Sequence, residues 1–169
     1  TTPRLLVAEE VTVKGPSSGL YNFDLDVEFL GTETDDPVKL TLDRVETMSV
    51  NQIIAEKNLT IDITNGSRLL FTNDRLAENY IRGATFNVVD GTLEFLQPLS
   101  FGTTADIVVE DRGTLKGGPL VAFRISPELQ PVLKPGSLFH VNGTLSGNGD
   151  LGDADVLIET LSNSVGQIA

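Results

Sequence analysis

The clearest pattern of hydrophobic and polar positions lies between Thr85 and Leu96. Two runs of β-forming residues flank Asp90-Gly91, a pair that readily adopts the positive φ angles of a tight primed turn. A hairpin folded at that turn has one apolar face, because directly opposed residues of an antiparallel pair share a face. That face consists of Phe86, Val88, Leu93 and Phe95. The stretch therefore predicts a central β-hairpin with one dry face.

Alternation with a period of two recurs along much of the chain. From Tyr21 to Leu30, from Val38 to Asp43 and from Leu59 to Ile63, apolar residues occupy every second position. Asn65-Gly66 follows the last of these runs as a second hairpin signal. Alternating apolar runs favour antiparallel sheets with one solvated face. The sequence shows no internal repeat and no low-complexity segment.

These signals together predict the fold class. About ten short strands with turn residues between them are typical of a sandwich or barrel. Asn73 is suited to cap one short helix over Asp74 to Tyr80, whose acidic first residue matches the helix dipole. We therefore predict an all-β fold, an antiparallel, jelly-roll-like β-sandwich with one short helix. Residues 1–169 form a single domain, with terminal arms over about 1–8 and 162–169.

Composition narrows the classes of partner. Acidic side chains number 24 against 12 basic ones, so the formal charge is −12. This field repels phosphates and anionic lipids, which argues against nucleic-acid and membrane partners. Without cysteine, the chain has no disulfides and no thiolate chemistry. The chain opens with Thr1-Thr2-Pro3, which we interpret as the loss of an initiator Met or of a longer leader.

His140 is the sole histidine and the first candidate for catalysis. A serine hydrolase needs such a base, but no Gly-x-Ser-x-Gly elbow accompanies it. A site with several histidine ligands is excluded. We therefore expect His140 to be a structural strand residue.

Asp24, Asp26 and Glu28 form the second candidate, since a glycosidase needs two carboxylates ~5–10 Å apart. Outward acids on a strand also serve solubility. Sugar-binding enzymes use aromatic platforms, whereas this chain has no Trp and only two Tyr. No catalytic residue is assigned on these grounds.

The segment from Gly147 to Asp155 clusters carboxylate and amide oxygens, the ligands that Ca²⁺ prefers. It lacks the order and the closing Glu of an EF-hand loop, so an ordinary Gly/Asp turn is favoured over calcium. We expect no cofactor, and calcium is kept as the alternative.

These observations favour a non-enzymatic structural subunit that self-assembles or decorates a larger assembly. The preferred setting is a virion, as a capsid decoration, cement, shell or tail component. Its partners would be copies of itself, as a homo-oligomer, and another structural protein. Apolar residues of the terminal arms are expected to bury against neighbouring subunits. The predicted interface residues are Leu5, Leu6, Val7, Val165 and Ile168.

Two alternatives remain open. One is an extracellular filament or adhesin subunit that uses strand exchange. The other is a carbohydrate-binding β-sandwich module, which would need Tyr21 or Tyr80 exposed on a concave sheet face.

Overall fold

A computed structural model gives the structure of most of the chain. It describes residues 4–6, 10–15, 22–29, 38–72, 81–96, 105–118, 121–125, 131–148, 150–152 and 155–158, which contain 15 strands and no helix. The strands are β1 (Arg4–Leu6), β2 (Val11–Lys14), β3 (Asn22–Phe29), β4 (Val38–Asp43), β5 (Thr47–Thr64), β6 (Arg68–Phe71), β7 (Ile81–Val88), β8 (Thr92–Phe95), β9 (Ala105–Val109), β10 (Thr114–Gly117), β11 (Ala122–Ile125), β12 (Val132–Leu133), β13 (Leu138–Val141), β14 (Thr144–Gly147) and β15 (Asp155–Ile158).

Every strand pair in the described part of the chain is parallel. The strands fall into a 13-stranded sheet and a two-stranded sheet of β11 and β14. The larger sheet contains two long ladders and a short third one, because the 18-residue strand β5 contributes residues 59–64 to the first, residues 47–50 to the second and residues 53–55 to the third. The third ladder runs through β1, β3, β5 and β7. The first ladder runs through β2, β4, β5, β7, β9 and β12, and the second through β3, β5, β6, β8, β10, β13 and β15.

Register along the first ladder reveals a repeat. The aligned residues Leu42, Ile63, Val88, Val109 and Leu133 are spaced by 21, 25, 21 and 24 residues. Each interval carries the chain once around, from the first ladder to the second and back. The fold is therefore a parallel β-helix, a stack of coils whose neighbours contact each other along one axis. The expected absence of a repeat was wrong, since coils of unequal length hide the period.

The antiparallel jelly-roll-like sandwich predicted from the sequence is therefore wrong. Its central hairpin is wrong in a specific way, because β7 and β8 lie on different ladders of one coil. Val89 donates its amide to Ile63 O, and Thr92 donates its amide to Ser67 O, so both flanks of the turn bond to the preceding coil. Asp90-Gly91 makes a corner between ladders. Asn65-Gly66 is likewise a corner, with Asn65 at φ 52°.

Glycine fits this corner because the neighbouring coil approaches its backbone closely. A Cβ on Gly91 would lie 2.4 Å from Ser67 O and 2.6 Å from a methyl carbon of Ile63. Small or buried residues occupy the corresponding corner of the other coils, and each accepts the first amide of the next strand on the second ladder. The acceptors are Val45, Ser67, Gly91, Gly113 and Ser137.

The core runs along the axis of the coils as columns of inward-facing side chains. On β4 the predicted alternation is confirmed, with Val38, Leu40 and Leu42 buried and the intervening residues half-buried. An aromatic column follows the second ladder, where the Phe71 and Phe95 rings stack with centroids 5.1 Å apart. Phe123 then packs edge-on against Phe95 and Phe139. These contacts link successive coils through the interior.

Other sequence expectations fall partly outside the described residues. The helix predicted over Asp74 to Tyr80 lies outside them, and no helix occurs in the part described. Of the arm over residues 1–8, residues 4–6 form β1, which pairs in parallel with β3. The arm over residues 162–169 lies outside the described ranges.

Candidate functional site

The outer side of the second ladder carries a buried carboxylate between two cations. Glu94 on β8 is only 4% exposed although it points away from the core. Arg68 on β6 donates from Nε to Glu94 Oε2 at 2.8 Å, and its Nη2 lies 2.5 Å from the same oxygen. Lys116 Nζ on β10 lies 3.5 Å from Oε1. The carboxylate thus joins three consecutive coils.

A similar bridge lies on the outer side of the first ladder. Asp62 on β5 accepts from Lys39 Nζ at 2.6 Å and from Asn87 Nδ2 at 2.9 Å. The hydrogen bond to Asp62 and the charge of its carboxylate raise the pKa of Lys39, which holds the ammonium in its charged form. This carboxylate also joins three coils, but on the first ladder.

The corners between the ladders carry a third polar row. Asn65 donates from Nδ2 to Asp43 Oδ1 at 2.9 Å and from its backbone amide to the Asp90 carboxylate. Arg112 Nη2 lies 3.8 Å from Asp90 Oδ2. The Asn65 hydrogen bond, aided by the Arg44 guanidinium and the charge of Lys14, lowers the pKa of Asp43, against a smaller opposing effect of burial.

These three rows have the character of a structural network. Their carboxylates each contact a cation or an amide of an adjacent coil, and the groups follow the ladders rather than converging on a cleft. Sequence reasoning missed Glu94 and Asp62, because their partners are 22 to 26 residues away and become visible only once the register is known.

The candidate catalytic residues are placed as follows. His140 lies half-buried on the outer side of β13, with Lys116 and Leu157 as its neighbours in register. Asp24, Asp26 and Glu28 lie on β3, where Asp26 and Glu28 are aligned with Arg4 and Leu6 of β1. The side chains of these three residues lie outside the described part of the structure.

The calcium candidate is described only in part. Within that part, Asp150 Oδ1 accepts the Gly152 amide at 2.8 Å and so closes a local turn. Gly152 has a φ of 61°, which the turn requires. Across the described residues, no group of three or more metal-ligating side chains occurs. Asp153 lies outside those residues.

Of the five predicted interface residues, two lie within the described residues and three lie outside them. Leu5 and Leu6 lie in β1, aligned with Val27 and Glu28 of β3. Val7, Val165 and Ile168 lie outside the described residues.

Exposed apolar surface instead gathers near the C-terminal end of the stack. Among the described residues, the large hydrophobic side chains that are exposed are Val132 at 50%, Leu157 at 44% and Val156 at 38%. Val156 is aligned with Phe139, so it continues the interior column at the last coil. The strands β12 and β15 each pair with one described strand and leave their other edge unpaired within that part of the chain. We refer to β15, Val132 and the segment Asp150 to Gly152 as the tail end.

The opposite, or head, end consists of β1, β2 and the first half of β3. Among the described residues, β2 pairs only with β4, and residues 22–25 pair only with β5. Val11 and Val13 of β2 are partly buried against the core, whereas Thr12 and Lys14 are exposed. Both ends of the coil stack therefore present a strand edge, the feature that lets a sheet add another strand.

No family model, curated protein or solved structure matches this chain. Within the described residues, no helix is long and apolar enough to cross a membrane.

Proposed function

We propose that the chain is a non-enzymatic structural subunit that self-assembles, or decorates a larger assembly, through the ends of its coil stack. The observation that carries this proposal is the gathering of exposed apolar side chains and unpaired strand edges at the tail end. An unpaired strand edge with exposed apolar neighbours is a site at which sheets add strands from other chains.

The outer surface supports the same proposal. In coils that have neighbours on both sides, charged groups such as Glu94 and Asp62 are engaged by cations or amides of adjacent coils. Such pairing rigidifies a stack, which suits a protein whose shape is its function.

A virion component is the preferred setting, and a secreted filament or adhesin subunit is the second candidate. The second is favoured by the coil ends, because pairing between ends is the strand exchange that such a subunit needs. The carbohydrate-binding alternative depended on Tyr21 and Tyr80, both of which lie outside the described residues.

The test is the mass of the full chain in solution over a concentration series, measured by light scattering after size exclusion, with and without calcium. We expect a mass that rises with concentration above that of one 18.1-kDa chain and does not depend on calcium. A strict monomer whose thermal midpoint rises with calcium would contradict the proposal.

A further inference from the structure

We propose that copies of this chain stack head to tail, the tail end of one subunit receiving the head end of the next as a further coil. This inference rests on the proposed function and specifies its partner, a second copy, and its polarity.

The geometry of the columns supports this pairing. Val13 on β2 is aligned with Leu42, the first residue of the column that runs through Ile63, Val88, Val109 and Leu133. On the second ladder, Phe23 is aligned with Met48, and Val156 ends the corresponding column. A second copy that continues the same step places its Phe23 over Val156. The strand edge at Val156 then gains the neighbouring strand that the inner coils of the described residues already have.

The strand edges are also compatible. Gly15 donates its amide to Asp43 O of β4, and amides alternate between the two sides of a strand. The amides of Thr12 and Lys14 therefore point to the side of β2 on which no described strand lies. Asp155 donates its amide to the O atom of Ser137, which directly precedes β13, and the Val156 amide therefore points to the side of β15 on which no described strand lies. Each end thus offers backbone groups that a parallel strand needs.

Charge disfavours joining two tail ends. Lys14 is exposed at the corner of the head end, and Asp150 and Asp155 are exposed at the corner of the tail end. Joining two tail ends would instead bring these acidic side chains together. Glu10 and Asp24 at the head end oppose the attraction to Lys14, although Lys39 lies close enough to Glu10 for their charges to interact. Since a head-to-tail contact uses two different surfaces, it does not close on two subunits and extends as a filament.

The experiment uses three variants of the full chain. The head variant, Thr12→Pro with Lys14→Glu, removes an edge amide and reverses a charge while leaving the amides that face β4. The tail variant, Val156→Asp, places a charge at the inward position of the edge strand, a change that hinders strand addition. The control, Thr60→Asp, adds the same charge to the outer side of a middle strand. Circular dichroism and thermal melting establish that each variant is folded.

Sedimentation velocity then separates the outcomes. We expect wild type and the control to form species larger than dimers, each end variant to be monomeric alone, and an equimolar mixture of the two end variants to form a dimer that does not extend. A head variant that still dimerises alone, or a mixture that stays monomeric while wild type assembles, would overturn head-to-tail stacking and leave self-assembly intact. A wild-type chain that is monomeric throughout would contradict self-assembly, the form of the proposed function on which this inference rests.

Discussion

The middle coils and the last coil are built from similar strands but differ in what lies beside them. Strands β6, β8 and β10 have a paired strand on both sides, whereas β15 pairs only with β13 among the described strands. Phe71, Phe95 and Leu115 are nearly inaccessible, whereas Val156, in an equivalent inward position, is 38% exposed. A coil therefore does not bury its own hydrophobic residues, and its stability depends on its neighbours.

Truncating one aromatic core residue should show this difference most strongly. Phe95→Ala removes a ring stacked on Phe71 and should lower the free energy of unfolding by about 3–5 kcal/mol. Leu157→Ala in the last coil should change it by less than about 1 kcal/mol, because that side chain is already exposed. Urea denaturation monitored by circular dichroism measures both. Equal losses would contradict the contrast between middle and end.

Substituting the corner glycines should give the next largest effect. Gly91→Ala places a Cβ 2.4 Å from Ser67 O, so about 1–3 kcal/mol of stability should be lost through overpacking. In the hairpin expected from sequence, that Cβ would have met solvent. Gly152→Ala in the last coil should lose about 1 kcal/mol from its left-handed backbone, since its nearest contact is 3.3 Å. If Gly91→Ala were as stable as wild type in a thermal melt, the corner geometry would be wrong.

Neutralising the buried carboxylate should have a smaller effect. Glu94→Gln leaves Arg68 and Lys116 without their anion and should lower the unfolding free energy by about 1–2 kcal/mol, the low end because both cations are partly exposed. Asp155→Asn, at an exposed position of the last coil, is the matched control and should be nearly neutral in a subunit kept monomeric by dilution. Chemical denaturation at neutral pH distinguishes them, and a Glu94→Gln chain as stable as the control would show that the bridge contributes nothing.

Lowering the pH should remove the stability contributed by Asp43 in the polar row at the corners. Because the folded chain lowers the pKa of Asp43 below its ordinary value of 3.8, its carboxylate stabilises the fold above that pH, and this contribution is lost as pH falls through the lowered value. The gap in thermal midpoint between wild type and Asp43→Asn should therefore be constant at neutral pH and shrink in acid. A gap that stayed the same down to the lowest accessible pH would refute the role given to the Asn65 hydrogen bond.

The sequence pattern predicted where strands form better than it predicted which strands pair with each other. Alternation at Val38 to Asp43 correctly predicted which side chains are buried, because burial follows from the pleat of one strand. Pairing depends on which strand lies alongside, and Asp90-Gly91 fits a coil corner as well as a hairpin. The wrong direction of pairing followed from that ambiguity.

The buried carboxylate and the exposed tail end could not be predicted from the sequence. Glu94 reads as an ordinary outward residue until β6 and β10 are placed beside it. Val156 and Leu157 resemble any buried strand residues, and their exposure follows only from their place at the end of the stack. Both features depend on the order of strands rather than on local pattern.

Engineered disulfides test the parallel coil stack most directly, since the chain has no cysteine of its own. Thr92 and Thr114 are aligned on β8 and β10, and neighbouring strands about 4.8 Å apart fall within the range of Cα separations that a disulfide accepts. Thr85 and Leu96 would face each other only in a hairpin turned at Asp90-Gly91. We predict that mild oxidation links Thr92→Cys to Thr114→Cys within the folded chain and leaves the Thr85→Cys, Leu96→Cys pair reduced, as read by thiol alkylation and mass spectrometry. Ready linkage of the second pair and none of the first would contradict the parallel β-helix.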